Sequence, residues 1–344
     1  MNVDLVIIVT ALLVVAPCAL LGCFLLLRRS VMVGDAISHA ALPGIVLAFF
    51  LTGSLGPLAA VAGAAVAGAA VAGAAVFGLL TVVLVDLLER SGKVRGDAAT
   101  GIVFTGLFAF GVLLVARYGG NVHLDLEHVL FGEIAFAPLH VLTVGGVDLG
   151  PRSWWTTGTV AVVAVAVVVL LHKELKVTTF DPALAAVVGL SPVIVHHVLM
   201  ALVSVTVVGA FDSVGAILVV ALLAGPAATA YLLTDRLGVM LATALGVGGV
   251  AVLGGYGLAV VGDLSIAGMI ASVVGVLFLL ALLAAPRHGL VGAAVARRRR
   301  RTVLRRLLVE HAQRTLGEDA TTAELAARLQ WPVSHVERVR ARID

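Results

Sequence analysis

About nine apolar stretches follow one another along this chain, near 4–27, 33–53, 57–86, 98–116, 154–172, 192–210, 214–233, 237–256 and 266–285. Each is long enough for a helix to cross a hydrocarbon core ~30 Å thick, which takes roughly 17 to 25 residues. Lipid offers backbone N–H and C=O groups no partner, so runs of this kind must satisfy themselves as helices. A soluble alternative is excluded by 61% hydrophobic and 12% charged residues and a mean hydropathy of +1.13. The expected fold is therefore all-α: a polytopic membrane domain over residues 1–290 and a short, basic helical tail over 291–344. The first run has no cationic stretch or cleavage site around it and reads as a retained helix.

Lysine and arginine in the short loops give an orientation. With the N-terminus outside, the cytoplasmic face receives Arg28, Arg29, Arg90, Lys93, Arg95, Lys173, Lys176, Arg236 and Arg287, against Arg117 and Arg152 on the other. The C-terminus is then cytoplasmic, and the net charge of +3 is a topology signal spread over loops and tail. Cys18 and Cys23, five residues apart, form no CxxC pair and read as small packing residues. The repeat AAVAGAAVAGAAVAGAAVFG places Gly63, Gly68, Gly73 and Gly78 five apart, which rotates them around the helix and predicts close packing on all sides.

Three segments interrupt the apolar pattern. The outer segment 117–153 collects His123, Asp125, Glu127, His128, Glu133, His140 and Asp148; it reads as an ordinary polar loop, part of it dipping into the membrane, or as a place that gathers cations. KELKVTTFDPALAAVVGLSP at 173–192 predicts a short cytoplasmic helix: Asp181 caps it, Pro182 takes the first turn, and Gly189 and Pro192 stop it. Such an element either docks on a cytoplasmic partner or simply connects two membrane helices. After residue 296 come RRRRR and a helix-turn-helix-like hairpin, with Thr322 expected to cap its first helix and Trp331 and Pro332 before its second. An arginine run at this position meets anionic lipid more readily than nucleic acid.

Ionisable residues at membrane depth cost about 2.5 to 3.5 kcal/mol on insertion scales, which makes them site candidates. Asp35 and His39 are such a pair. At i, i+4 their Cβ atoms stand about 5 to 6 Å apart on one helix face, a chelating geometry some 7 to 14 Å into the core at about 1.5 Å per residue. Pro43 has no N–H for the His39 carbonyl, so a broken helix with a free carbonyl is expected beside the pair. The competing reading is a polar pair that ties helices together above a proline kink. Mixed oxygen and nitrogen donors suit Zn(II), Mn(II) or Fe(II). Two ligands are too few, and Asp212 is a candidate third or else a loop acid.

Five stretches, RRSVMVGDAISHAALPGIVLAFFLTG, DAATGIVFTGLFAFGVLL, EHVLFGEI, FDPALAAVVGL and VGAILVVALLAGPAATAYLLTDRL, occur in order between residues 5 and 290. Together they resemble the permease subunits of ATP-binding-cassette importers for manganese, zinc and iron. The resemblance implies a fold similar to the cobalamin and siderophore permeases and a homodimer or paired permease around a central path. It further implies two ATPase subunits and an extracytoplasmic metal-binding protein as partners. Asp35 and His39 fall on the metal positions, and Asp181, Ala185 and Gly189 lie in the stretch corresponding to the coupling helix. Glu133 stands where a neutral residue such as Asn is common, and the tail lies beyond the resemblance. No GxxxxGK[ST] loop is present, since SGKVRG does not match it, so no enzymatic activity and no bound cofactor are expected and ATP belongs to a partner chain. The alternatives are a proton-coupled carrier and a membrane-anchored regulator acting through the hairpin.

Overall fold

A computed structural model describes residues 2–52, 59–94, 96–118, 134–139, 141–144, 147–285, 307–308, 311–312, 315 and 321–340. Among them nine long helices account for the apolar runs: α1 (Val3–Leu27), α2 (Val31–Thr52), α3 (Ala59–Arg90), α4 (Gly96–Tyr118), α5 (Arg152–Leu170), α8 (Pro192–Val214), α9 (Ala216–Leu233), α10 (Leu237–Gly262) and α11 (Ile266–Ala284). Two short helices, α6 (His172–Phe180) and α7 (Pro182–Val187), lie between α5 and α8. Seven of the nine, α1, α4, α5 and α8 to α11, are long and apolar enough to cross a membrane. The other two, α2 and α3, cover the runs at 33–53 and 57–86. The chain divides into two compact units, Met1–Leu279 and Leu280–Asp344.

In the first unit α1 is the central helix. Two thirds of its apolar window is buried (67%), against 17% for α11, so α1 is surrounded by protein and α11 is left to the periphery. Around α1 pack α5, α8, α9 and α10, with Leu21, Phe24 and Leu25 meeting Leu218, Leu222 and Leu223 in a common core. Lipid is as apolar as leucine, so such helices associate through close packing and hydrogen bonds more than through a hydrophobic drive. Polar ties accordingly appear between helices. Ser204 of α8 donates to the Ala75 carbonyl of α3 at 3.2 Å, next to the glycine repeat. Tyr256 of α10 donates to Asp4 of α1 at 2.6 Å. Cys18 and Cys23 are both free and fully buried, as their packing role requires. The surroundings of Gly63 and Gly68 lie outside the described residues.

The segment 117–153 departs from a purely helical fold. A 3-10 turn (Ile134–Leu139) is followed by an antiparallel hairpin, β1 (Val141–Val144) and β2 (Val147–Pro151), with Thr143 opposite Asp148 and Val144 opposite Val147. Ile134 is fully buried, and the 3-10 turn packs on α1 and α8. Part of this segment therefore does enter the body of the protein.

In the second unit, α12 (Thr322–Leu329) and α13 (Val333–Arg340) form the expected hairpin around Leu325, Ala326 and Val336. The cap is Thr321, one residue earlier than the sequence reading placed it. Thr321 and Glu324 form a reciprocal capping box, and these hydrogen bonds hold the Glu324 carboxyl below its usual pKa. The arginines at 297–301 lie outside the described residues.

Candidate functional site

Asp35 and His39 lie on α2 as the spacing predicts. His39 Nε2 stands 3.8 Å from Asp35 Oδ1, beyond hydrogen-bond length, and both side chains are 44% exposed. Donors bound to one tetrahedral ion at about 2.1 Å each stand about 3.4 Å apart, so a small rotation of either side chain would let the two share an ion. The other face of α2 is closed: Val33, Ala36, Ile37 and Ala40 are buried in the same chain. The pair thus lies off the buried face of α2.

Two aromatic residues of α4 complete the local structure. Phe104 and Phe108, one turn apart, flank the imidazole of His39 with ring centroids at 5.6 and 5.8 Å, the first tilted and the second edge-on. They restrict the ring and remove water from one side of it. Neither was singled out by the sequence, although the i, i+4 spacing in FTGLF placed them on one face.

Pro43 does not break the helix. α2 runs without interruption from Val31 to Thr52, so the expected broken helix is corrected to a continuous one. What remains is covalent: proline has no N–H, and the His39 carbonyl lacks its usual helical donor. Among the described residues no third histidine, cysteine or acid joins the pair. Asp212 belongs to the last turn of α8, and its side chain is outside the described set. His123, Asp125, Glu127, His128, Glu133 and His140 lie outside the described residues, and of Asp148 only the backbone, in β2, is described.

The second feature is the connector between α5 and α8. Asp181 ends α6 and begins α7, its Oδ1 accepting from the Leu184 N–H at 2.9 Å with Pro182 in the first turn. At the other end Gly189 takes a left-handed φ of +88°. The N–H groups of Gly189 and Leu190 return to the carbonyls of Ala186 and Ala185 at 3.1 and 2.9 Å, a Schellman closure. Ala185 is fully buried and anchors the element, while Phe180, Leu184, Val187 and Val188 are 49 to 85% exposed. The six-residue helix is capped at both ends, and it and its two flanking residues expose four large apolar side chains, Leu184 and Val187 within it and Phe180 and Val188 beside it.

The sequence model of the ABC 3 transport family matches residues 3–285. The chain belongs to the ABC 3 transport family. It is 46% identical over 291 residues to the manganese transport system membrane protein MntD of Bacillus subtilis, a match covering 85% of this chain and 95% of that protein. To the zinc transport system membrane protein TroD of Treponema pallidum it is 44% identical, covering 83% of this chain and 75% of the relative. Among solved structures, PsaBC from Streptococcus pneumoniae in complex with Fab superposes with a TM-score of 0.67 at 29% identity, over 84% of this chain and 94% of that one. The ABC 3 transport family match contains both Asp35–His39 and Asp181–Gly189 and ends before the arginine run. The all-α polytopic fold expected from the apolar runs is the fold of this family.

Proposed function

We propose that this chain is the membrane-spanning permease of an ATP-driven importer that carries a divalent transition-metal ion, manganese, zinc or iron, into the cell. The observation that carries the reading is the half-exposed Asp35–His39 pair on α2, a carboxylate and an imidazole at chelating distance in a family whose relatives are named for manganese and zinc transport. One chain offers two such ligands among its described residues, and they lie off the buried face of α2. A second permease, identical or closely related, would supply the remainder from the opposite side of a shared path, with Asp212 the candidate from within the chain. Few ligands suit transport, because the ion must leave as readily as it arrives.

In this reading the N-terminus lies outside and the C-terminus in the cytoplasm. An extracytoplasmic binding protein delivers the ion, Asp35 and His39 hold it in passing, and two ATPase subunits close beneath the membrane. α7, with Asp181, Ala185 and Gly189, is the element on which an ATPase subunit docks. Hydrolysis takes place on those subunits and not on this chain. Family membership favours this over a proton-coupled carrier, which would have no use for an exposed apolar helix such as α7. The tail at 291–344 is accessory to transport.

The test is uptake by proteoliposomes holding the complete complex with its ATPase and binding protein, with Mn(II), Zn(II) and Fe(II) in competition. Accumulation should require hydrolysable ATP and survive collapse of the proton gradient. Accumulation driven by the gradient without ATP would rule the importer out.

Gly189 tests the docking element separately. Its φ of +88° costs an L-residue about 1 to 2 kcal/mol, yet a Cβ there would meet nothing within 4 Å. Gly189→Val should therefore fail by straining the end of α7 and not by a clash. Transport-coupled ATP hydrolysis should fall while metal binding at Asp35 and His39 persists, and Gly189→Asn, which tolerates this conformation, should retain most of it. Normal coupled hydrolysis in Gly189→Val would remove α7 from the docking role.

A further inference from the structure

Arg28 occupies the turn between α1 and α2, seven residues before Asp35. The turn is tightly built: the N–H of Arg29 bonds the Leu26 carbonyl at 3.0 Å and that of Ser30 the Leu25 carbonyl at 2.9 Å, with Arg29 at φ +58°. This is a Schellman closure with arginine in place of the usual glycine, leaving no slack between the two helices. From it the Arg28 guanidinium reaches across to α6. Its Nε donates to Thr179 Oγ1 at 3.0 Å and its Nη2 to Thr178 Oγ1 at 2.8 Å.

The hydroxyls have no freedom in this arrangement. Thr178 donates its own proton to the Glu174 carbonyl at 2.7 Å and Thr179 donates to the Leu175 carbonyl at 2.6 Å, so each oxygen presents a lone pair to Arg28. Leu175, one turn back, is buried in the core. Among the described residues no carboxylate stands within ion-pair distance of Arg28. The contact is held by the shape of a planar fork meeting two adjacent hydroxyls, a geometry lysine cannot reproduce. Thr179 lies two residues before Asp181, the shared cap of α6 and α7.

We infer that Arg28 is a positioning residue that links the ATPase-docking helix α7 to the metal-bearing helix α2 through its fork onto Thr178 and Thr179 of the adjoining α6. The inference rests on the importer reading above. A loop arginine that served topology alone would need only its charge, whereas this one closes a continuous path: α7, Asp181, Thr178 and Thr179, Arg28, the closed turn, and α2 with Asp35 and His39. Both ends of the path are short and rigid, so displacement of α7 would be passed to α2 and not absorbed between them.

The experiment compares metal ions imported per ATP hydrolysed by the complete reconstituted complex, with Mn(II) as the probe. Arg28→Lys keeps the charge and loses the fork; Thr178→Val with Thr179→Val keeps the shape and loses the acceptors. Each should leave equilibrium Mn(II) binding and basal ATP hydrolysis intact and lower the ions imported per ATP roughly 10-fold, within the 5- to 150-fold range usual for coupling between sites. Combining the changes should add little, because both break one contact. A normal ratio in the threonine variant, additive losses, or a deficit confined to the amount of assembled complex would overturn the inference. Uptake by the wild-type complex that ignores ATP would overturn the importer reading as well, and is visible before any variant is compared.

Discussion

Asp35→Ala and His39→Ala should each abolish metal uptake while leaving the permease able to assemble with its ATPase. The loss should be on the order of 100-fold or more, since even outer partners of metal ligands cost about 10- to 100-fold when removed. In the proposed site this chain offers two side chains to the ion, so neither has a spare. The substitutions should be mild structurally, because both side chains are half exposed and outside the buried face formed by Val33, Ala36, Ile37 and Ala40. Initial uptake rates in proteoliposomes, normalised to complex recovered by size exclusion, provide the measurement. Wild-type rates in both assembled variants would remove the pair from the transport path. Phe104→Leu, which leaves both ligands in place and loosens the imidazole, should fall between these extremes.

The pair was legible because one spacing rule decides it: residues four apart share a helix face, and a helix is all that lipid permits there. Its aromatic flank was not. In an apolar chain Phe104 and Phe108 look like any lipid-facing or packing residues, and only the packing of α4 on α2 distinguishes them. Pro43 misled in the other direction, since the loss of one N–H breaks a helix only where neighbouring turns cannot hold it, and α2 is held. The β1–β2 hairpin carried a readable sign, Gly145–Gly146 between two β-favouring runs, obscured by surrounding apolar sequence. Thr321 likewise carried its sign in T-T-A-E, where the capping-box count begins one residue before Thr322. The caps of α7 were plain, because Asp-Pro and Gly act locally and need no knowledge of the fold. Arg28 lay at the opposite limit: its partners are about 150 residues away in sequence, and no local pattern announces them.

Gly22→Ala should leave little folded permease, although it adds one methyl group. Gly22 lies in α1 where α9 crosses it, and a Cβ there would run into the Leu223 carbonyl oxygen, with the carbonyl carbon at 2.9 Å and the Ala227 Cβ at 3.4 Å. The obstacle is backbone, so no rotamer change relieves it. α1 and α9 would have to separate, and the contacts of the fully buried Leu21, Leu25, Leu218 and Leu222 would loosen together. Overpacking a side-chain core costs about 1 to 3 kcal/mol; against an unyielding carbonyl in the central helix the cost should reach the upper end or exceed it. Gly257→Ala is the control, because a Cβ at that position on α10 meets nothing within 4 Å, and alanine is the better helix former by about 1 kcal/mol. Thermal denaturation of the purified variants should show Gly22→Ala strongly destabilised and Gly257→Ala unchanged or slightly more stable; equal midpoints would mean that α1 and α9 are not in close contact. The consequence extends to the site. The Leu223 side chain also packs against Gly34, the residue before Asp35, so the carbonyl that excludes a methyl at Gly22 belongs to a residue that backs the turn of α2 carrying Asp35, and a shift of α9 would withdraw that support from Asp35 and His39.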